Sequence, residues 1–480
     1  MTREKQLLKN TIIVAIGQIC TKFISFFLLP LYTALLSTEE YGIVDLLNTY
    51  VSLLLPLIFL QIDQSIFRHL IDVRKDEKSK KKLITTTIIT VLIQSFIFLI
   101  IYMIIAQFIK NDYKYFLATN VIAAMISNLV LQISRGLGDN ATYSQGSLVS
   151  GAGTVILNVT FILGLRMGAY GMLLATLLAN ILCTLFVFIK LKLYKYININ
   201  SFSKKDLKEL WKYSIPLIPN QLSWWIINAS DRLIVSYVLG VAINGIYSAA
   251  NKFSSICITI FNIFNMTWSE SAAMYIKDED SSEYFSNIIN ISIKLFTALC
   301  FGIIAVMPFC FRFLITGADY ASAYYQIPVL MLGTIFSIMV SLIGSIYVAL
   351  KKTKEIAKTS IYAAIINISV NLLLIKFIGL YAASISTLIA YLAMSIYRFI
   401  DVQKFVKIKL DIRFIIVSIP VIIIIMFIYY LKNVYLCLIG LLIAIIFAWK
   451  YNGKVIKKLC GMMINKMKGK INSSKPKEAS

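Results

Sequence analysis

Apolar runs of about 20 residues or more recur along almost the whole chain, separated by short polar connections. A helix needs about 20 such residues to cross ~30 Å of hydrocarbon. By that measure fourteen spans are predicted: 11–36, 43–67, 83–107, 115–135, 147–166, 170–190, 212–239, 246–270, 288–312, 326–350, 359–378, 380–400, 412–431 and 434–451. The pattern predicts an all-α integral membrane protein. Composition agrees: 59% of the 480 residues are hydrophobic and 15% charged, against about 25% charged in a soluble protein.

The seventh and eighth predicted helices, around a tight turn near Leu239–Gly245, depart from this apolar rule. Pro216 and Pro219 weaken the start of the seventh and mark a candidate hinge, because each removes a backbone donor and crowds the preceding turn. Trp224, Trp225, Asn228, Asp231 and Arg232 follow, and Lys252 lies just beyond the turn. At ~1.5 Å rise per residue, Arg232 and Lys252 are predicted at similar depths on antiparallel neighbours. Charges in a bilayer cost at least ~2.5–3.5 kcal/mol and usually face a bundle interior or a wet cavity. An Asp231–Lys252 pair joining the two helices is the structural expectation. One carboxylate balances only one of the two cations, which leaves a positive charge for a ligand.

Net charge is +24, but its placement argues for topology rather than nucleic acid. Of the 47 lysines and arginines, 37 fall in or beside alternate connections and the two tails, and only 6 beside the intervening ones. That asymmetry predicts a cytoplasmic basic side with both termini inside. The connections around Arg68–Lys82 and Lys190–Lys212 are the densest and would also attract anionic membrane lipids. Ser203 followed by Asp206 resembles a helix start, so a short interfacial helix is expected there. The tail beyond about Ile471 is polar and expected to be disordered. Cysteines are scattered, six of the seven (Cys20, Cys183, Cys257, Cys300, Cys310, Cys437) in apolar segments, and His69 is the single histidine. No disulfide framework or metal site is expected.

The chain also repeats itself. A shift of 203 residues lays 7–19 on 210–222 and 35–48 on 238–251, matching Lys9 with Lys212, Gln18 with Gln221, Gly42 with Gly245 and Asn48 with Asn251. The expected organisation is an N-terminal six-helix bundle over 1–200, a second in the same orientation over 201–405, a helix pair over 406–452 and a basic cytoplasmic tail over 453–480. Parallel repeats are a transporter signature, with the substrate held near mid-membrane between them. Lys22, in the first helix, is expected to face the Arg232–Lys252 hairpin.

Pro-x-x-Pro-Asn-Gln with Trp-Trp and Asp-Arg in the seventh helix, then Gly-Ile-Tyr-Ser-Ala-Ala-Asn-Lys, resembles the second-half pattern of Wzx-type oligosaccharide flippases. Leu-Ser-Thr-Glu-Glu-Tyr-Gly at 36–42 is similar to the matching first-half turn. The resemblance covers nearly the whole chain. It implies the fourteen-helix multidrug-extrusion-type fold, two pseudo-symmetric bundles around a central cavity. It also implies movement of an undecaprenyl-diphosphate-linked glycan across a bacterial plasma membrane by alternating access, without catalysis. Polysaccharide polymerase and glycosyltransferases would be its working partners. The residues fit that cargo independently. Fixed cations give charge-assisted hydrogen bonds to phosphate, Arg232 with two prongs and Lys22, Lys252 and Lys294 as point charges, while Trp224 and Trp225 offer flat faces to sugar rings. Lys294 is also expected to pair with Glu270, and Asp45 and His69 are read as interfacial. No cofactor is expected, and no GxxxxGK[ST] loop for ATP is present; a proton or sodium gradient is the expected energy source, with Asp63 a candidate coupling residue. Two other readings remain. A cation-coupled multidrug exporter would favour deep acidic residues, and a membrane polysaccharide polymerase would need acidic residues on a large outer loop.

Overall fold

The computed structural model describes residues 26–350 and 352–473, and among them there is no strand. The helices are α1 (Leu29–Leu35), α2 (Thr38–Ile58), α3 (Ile62–Asp72), α4 (Glu77–Ile105), α5 (Lys114–Leu137), α6 (Asn140–Asn158), α7 (Gly168–Lys190), α8 (Lys204–Ser214), α9 (Ile218–Val238), α10 (Val241–Tyr275), α11 (Ser281–Leu314), α12 (Ala323–Ala349), α13 (Thr353–Ile378), α14 (Tyr381–Val402), α15 (Ile412–Leu431) and α16 (Val434–Ser473). Eleven of the described helices are long and apolar enough to cross a membrane. The first expected span lies mostly outside the described residues. The other two, α9 and α10, have 21 and 35 residues; polarity, not length, sets them apart. Bulky side chains such as Phe96, Ile104, Phe377 and Ile423 remain exposed on the helix surfaces, as lipid-facing positions do.

Two expected spans are shorter than their apolar runs. The run 43–67 is broken after Ile58, where Leu60 and Gln61 take left-handed φ values of 51° and 54°. Pro56, one turn earlier, already deprives α2 of a backbone bond. Beyond the break α3 is amphipathic: Ile62, Ile66 and Leu70 are buried, while Arg68 and Asp72 pair at 2.6 Å outside. The run 212–239 is likewise divided. Here α8 ends at Ser214, a 3₁₀ turn covers Ile215–Leu217, and α9 begins with Pro219 in its first turn. Both candidate hinge prolines therefore sit at a helix junction. Ser203 caps α8 as its spacing predicts, its Oγ accepting from Asp206 N at 3.2 Å.

The turns on the side opposite the basic connections are tighter than expected. Ser37 and Glu40 form a reciprocal cap, with bonds of 3.1 and 3.0 Å, so α2 starts at Thr38. Gly240, at φ +100°, lets α10 start at Val241. Gly42 and Gly245 thus lie inside helices, and there they meet. A Cβ on Gly42 would sit 2.0 Å from the carbonyl oxygen of Val241, and one on Gly245 2.0 Å from that of Thr38. Each contact becomes the other under the 203-residue shift. Both helices begin at this side, so they run in the same direction. Further bonds close the same side: Tyr320 Oη donates to the carbonyls of Leu36 and Ser37 at 3.2 and 2.9 Å, and Thr316 N donates to Thr33 Oγ1 at 3.1 Å.

Candidate functional site

Consecutive residues on a helix point about 100° apart, and α9 uses that step to serve two neighbours. Trp224, Ile227 and Asp231 face α13 and α14; Trp225 and Arg232 face α2. The indole of Trp225 donates to Ser52 Oγ at 2.9 Å. Arg232 Nε lies 3.0 Å from Asp45 Oδ2, and Asn244 Nδ2 reaches that same oxygen at 3.3 Å. Asp45 is therefore no interfacial bystander but the partner of Arg232.

Asp231 is 3% exposed and enclosed by neutral donors. Asn371 Nδ2 donates to its Oδ1 at 2.8 Å, Ser386 Oγ to the same oxygen at 3.4 Å, and Tyr247 Oη to its Oδ2 at 3.3 Å. Thr387 Oγ1 donates closely to Oδ2. The expected Asp231–Lys252 pair is not formed, because these donors occupy the carboxylate. Lys252, half-buried on α10, has no ion-pair partner among the described residues. Asn228 braces the helix: its Nδ2 donates to Trp224 O at 2.8 Å, and its Oδ1 accepts from Tyr391 Oη at 2.7 Å.

Lys294 is held elsewhere. Its partner is Asp411 at 2.6 Å, at the start of α15, rather than Glu270. Lys22 lies outside the described residues. Asp63 sits on α3 beyond the break, where Gln64 donates to its Oδ2 at 2.9 Å. Sequence reading missed Arg398, counting it with the basic connection after α14. It is 1% exposed and falls on one stripe with Tyr391, Met394, Ser395 and Val402, all buried; that helical spacing was the available signal.

The residues from Gly42 to Lys252 that build this seam lie within 7–270, the stretch matched by the model of the polysaccharide biosynthesis protein family. The match spans more than half of the chain. The chain belongs to that family. Its fold is shared with solved structures of the MOP superfamily. The lipid II flippase MurJ in an inward closed conformation superposes with a TM-score of 0.68 at 18% identity, over 94% of this chain and 100% of that one. An inward-facing multidrug resistance MATE transporter gives 0.66 at 14% identity, over 82% and 98%. A MOP-superfamily transporter from Pyrococcus furiosus, described as having a binding pocket of reversed polarity, gives 0.58 at 16% identity, over 84% and 98%. No curated protein matches the sequence. The chain is thus a polysaccharide biosynthesis family protein with the helical fold seen in those transporters, and eleven of its described helices are long and apolar enough to cross a membrane.

Proposed function

We propose that the protein moves a polyprenyl-diphosphate-linked oligosaccharide repeat from the inner to the outer leaflet of a bacterial plasma membrane by alternating access, for cell-surface polysaccharide assembly. The observation that carries the reading is an ammonium at the seam of α2, α9 and α10 with no ion-pair partner among the described residues. Asp45 balances Arg232, and Lys252 beside them is left unmatched. A diphosphate headgroup cannot cross hydrocarbon unaided; fixed cations replace the water it leaves behind with charge-assisted hydrogen bonds. The contacts from Tyr320, Thr316 and Gly245 close the side opposite the basic connections, which fits a state open toward the cytoplasm with both termini there. Glycosyltransferases and a polymerase would supply and consume the cargo. The protein itself breaks no bond in this reading.

The pocket around Asp231 is suited to coupling. Asn371 Oδ1 is buried without a partner, beside the carboxylate and the hydroxyls of Thr387 and Ser386. Such an all-oxygen set suits a sodium ion, and a proton on Asp231 is the simpler occupant. The seam disfavours a cationic drug as cargo, since Asp45 is already matched by Arg232 and the Asp231 carboxylate is enclosed by protein donors. The test is complementation of a flippase-deleted host, with surface glycan normalised to the protein in the membrane. Full export by Arg232→Ala would overturn the charge argument.

A further inference from the structure

A second basic site is built around Arg398 of α14, with walls from α9, α10, α12 and α13 made of residues other than those at the Asp45–Arg232 pair. Arg398, one turn before the end of α14, is surrounded by neutral acceptors. Its Nε donates to Thr359 Oγ1 at 3.0 Å, Nη1 to Val340 O at 3.0 Å, and Nη2 to Ile356 O at 3.3 Å and Ser360 Oγ at 3.4 Å. Gly344 makes this approach possible, for a Cβ there would lie 3.0 Å from Nη1. The adjacent carboxylate is engaged elsewhere: Asp401 accepts from Lys404 Nζ at 2.9 Å and Tyr347 Oη at 2.8 Å. A guanidinium that serves only to tie three helices together has no need of an unmatched charge, since a buried charge without a counter-charge is costly.

Arg398 borders a cavity of about 620 Å³, within the size range of small-ligand sites. Lys354, in the first turn of α13, lies on the wall at the basic end. Trp224 forms another wall, and a polar row completes it: Ser269 Oγ and Ser345 Oγ are 2.7 Å apart, and Ser345 Oγ donates to Asn265 Oδ1 at 3.2 Å. Among the described residues, no carboxylate lines the cavity. The elements are those of a phosphorylated-sugar site: a buried guanidinium, an exposed lysine ammonium, hydroxyl and amide groups, and an indole.

We propose that this cavity is a separate loading subsite, which takes the diphosphate and first sugar of the cargo at the basic end before the headgroup reaches Arg232. The identity of the cargo rests on the function proposed above; the anion chemistry of the cavity does not.

The test uses the full chain in neutral-lipid nanodiscs, titrated with inorganic diphosphate and followed by tryptophan fluorescence. Arg398→Gln should weaken diphosphate binding about tenfold, the equivalent of one lost charge-assisted hydrogen bond, and Lys354→Gln should weaken it by a smaller factor. Trp224→Phe should lose the fluorescence response. If Arg398→Gln fails to fold, the other two variants carry the test. Unchanged affinity in Lys354→Gln, or an unchanged response in Trp224→Phe, overturns the subsite. Repeating the titration in phosphatidylglycerol nanodiscs separates the sources. Competition by that lipid would assign the cavity to bulk phospholipid and overturn the loading role, whereas diphosphate binding that phosphatidylglycerol does not displace supports it. Arg398-dependent binding in a chain that exports no lipid-linked glycan would keep the subsite and remove the cargo. Wild-type binding and export by Arg398→Gln would remove the subsite and keep the cargo.

Discussion

The carboxylate of Asp45 on α2 and the guanidinium of Arg232 on α9 lie 3.0 Å apart, joining two stretches of chain nearly 190 residues apart. Their side chains are only 16% and 21% exposed, so removing one partner leaves the other charge poorly solvated. Arg232→Ala should leave an inserted protein that exports no glycan, and Arg232→Lys should keep part of the activity because charge survives without the two-pronged geometry. Exchanging the pair, Asp45→Arg with Arg232→Asp, should restore the stability lost in either single variant without restoring export. Surface glycan per membrane-inserted protein, together with the melting midpoint in detergent, reads both effects.

The crossing of α2 and α10 leaves no space for a side chain. Gly42→Ala and Gly245→Ala should each lower stability by about 1–3 kcal/mol, the usual cost of overpacking. Both press on one contact, so the double variant should cost less than the sum. Thermal unfolding of the purified proteins checks this, and strict additivity would show that the two glycines act independently.

Asp231 holds four donors in a dry pocket. Asp231→Ala should strand them at about 1–3 kcal/mol for each group left unsatisfied, and protein abundance should fall. Asp231→Asn retains the size and much of the bonding. It should therefore accumulate normally, yet export should no longer respond to sodium or to the proton gradient. Export assayed in cells with each gradient collapsed in turn distinguishes the two ions.

The hydrogen bond from Lys294 holds the Asp411 carboxyl below the usual carboxylate range. A depressed carboxyl contributes stability above its unfolded value, about 3.9, and loses it as pH falls through the folded value. The midpoint difference between wild type and Asp411→Asn should thus be constant above about pH 4 and shrink below it. Asp411 is 32% exposed, so the whole effect should stay within about 1 kcal/mol. A difference that grows on acidification would contradict the pairing.

The helical class was legible because lipid demands long apolar runs, and the cap at Ser203 because three residues of spacing suffice to specify it. The break at Leu60–Gln61 was not, since Pro56 one turn earlier was read through as part of a continuous apolar run and nothing in the sequence announces a left-handed leucine. Partner choice on α9 was also hidden. Asp231 and Arg232 are adjacent in sequence, and which neighbour each meets depends on Asn371, Thr387 and Asp45, brought in from three other helices. Lys294 chose Asp411 over Glu270 for the same reason. Arg398 was misplaced because a cation near a helix end reads as a loop charge unless the buried stripe beneath it is counted.

The Gly42–Gly245 contact is isologous, the kind of patch through which two copies of one molecule pair about a two-fold axis. Here both copies of the patch belong to a single polypeptide. The intervening chain tethers them, so they meet within one molecule and without the cost of bringing two molecules together. A patch that would dissociate between separate molecules therefore suffices to shut this side of the protein. If the proposed alternating access holds, a closure kept by tethering could open and re-form in each cycle without the two faces ever leaving one another's reach.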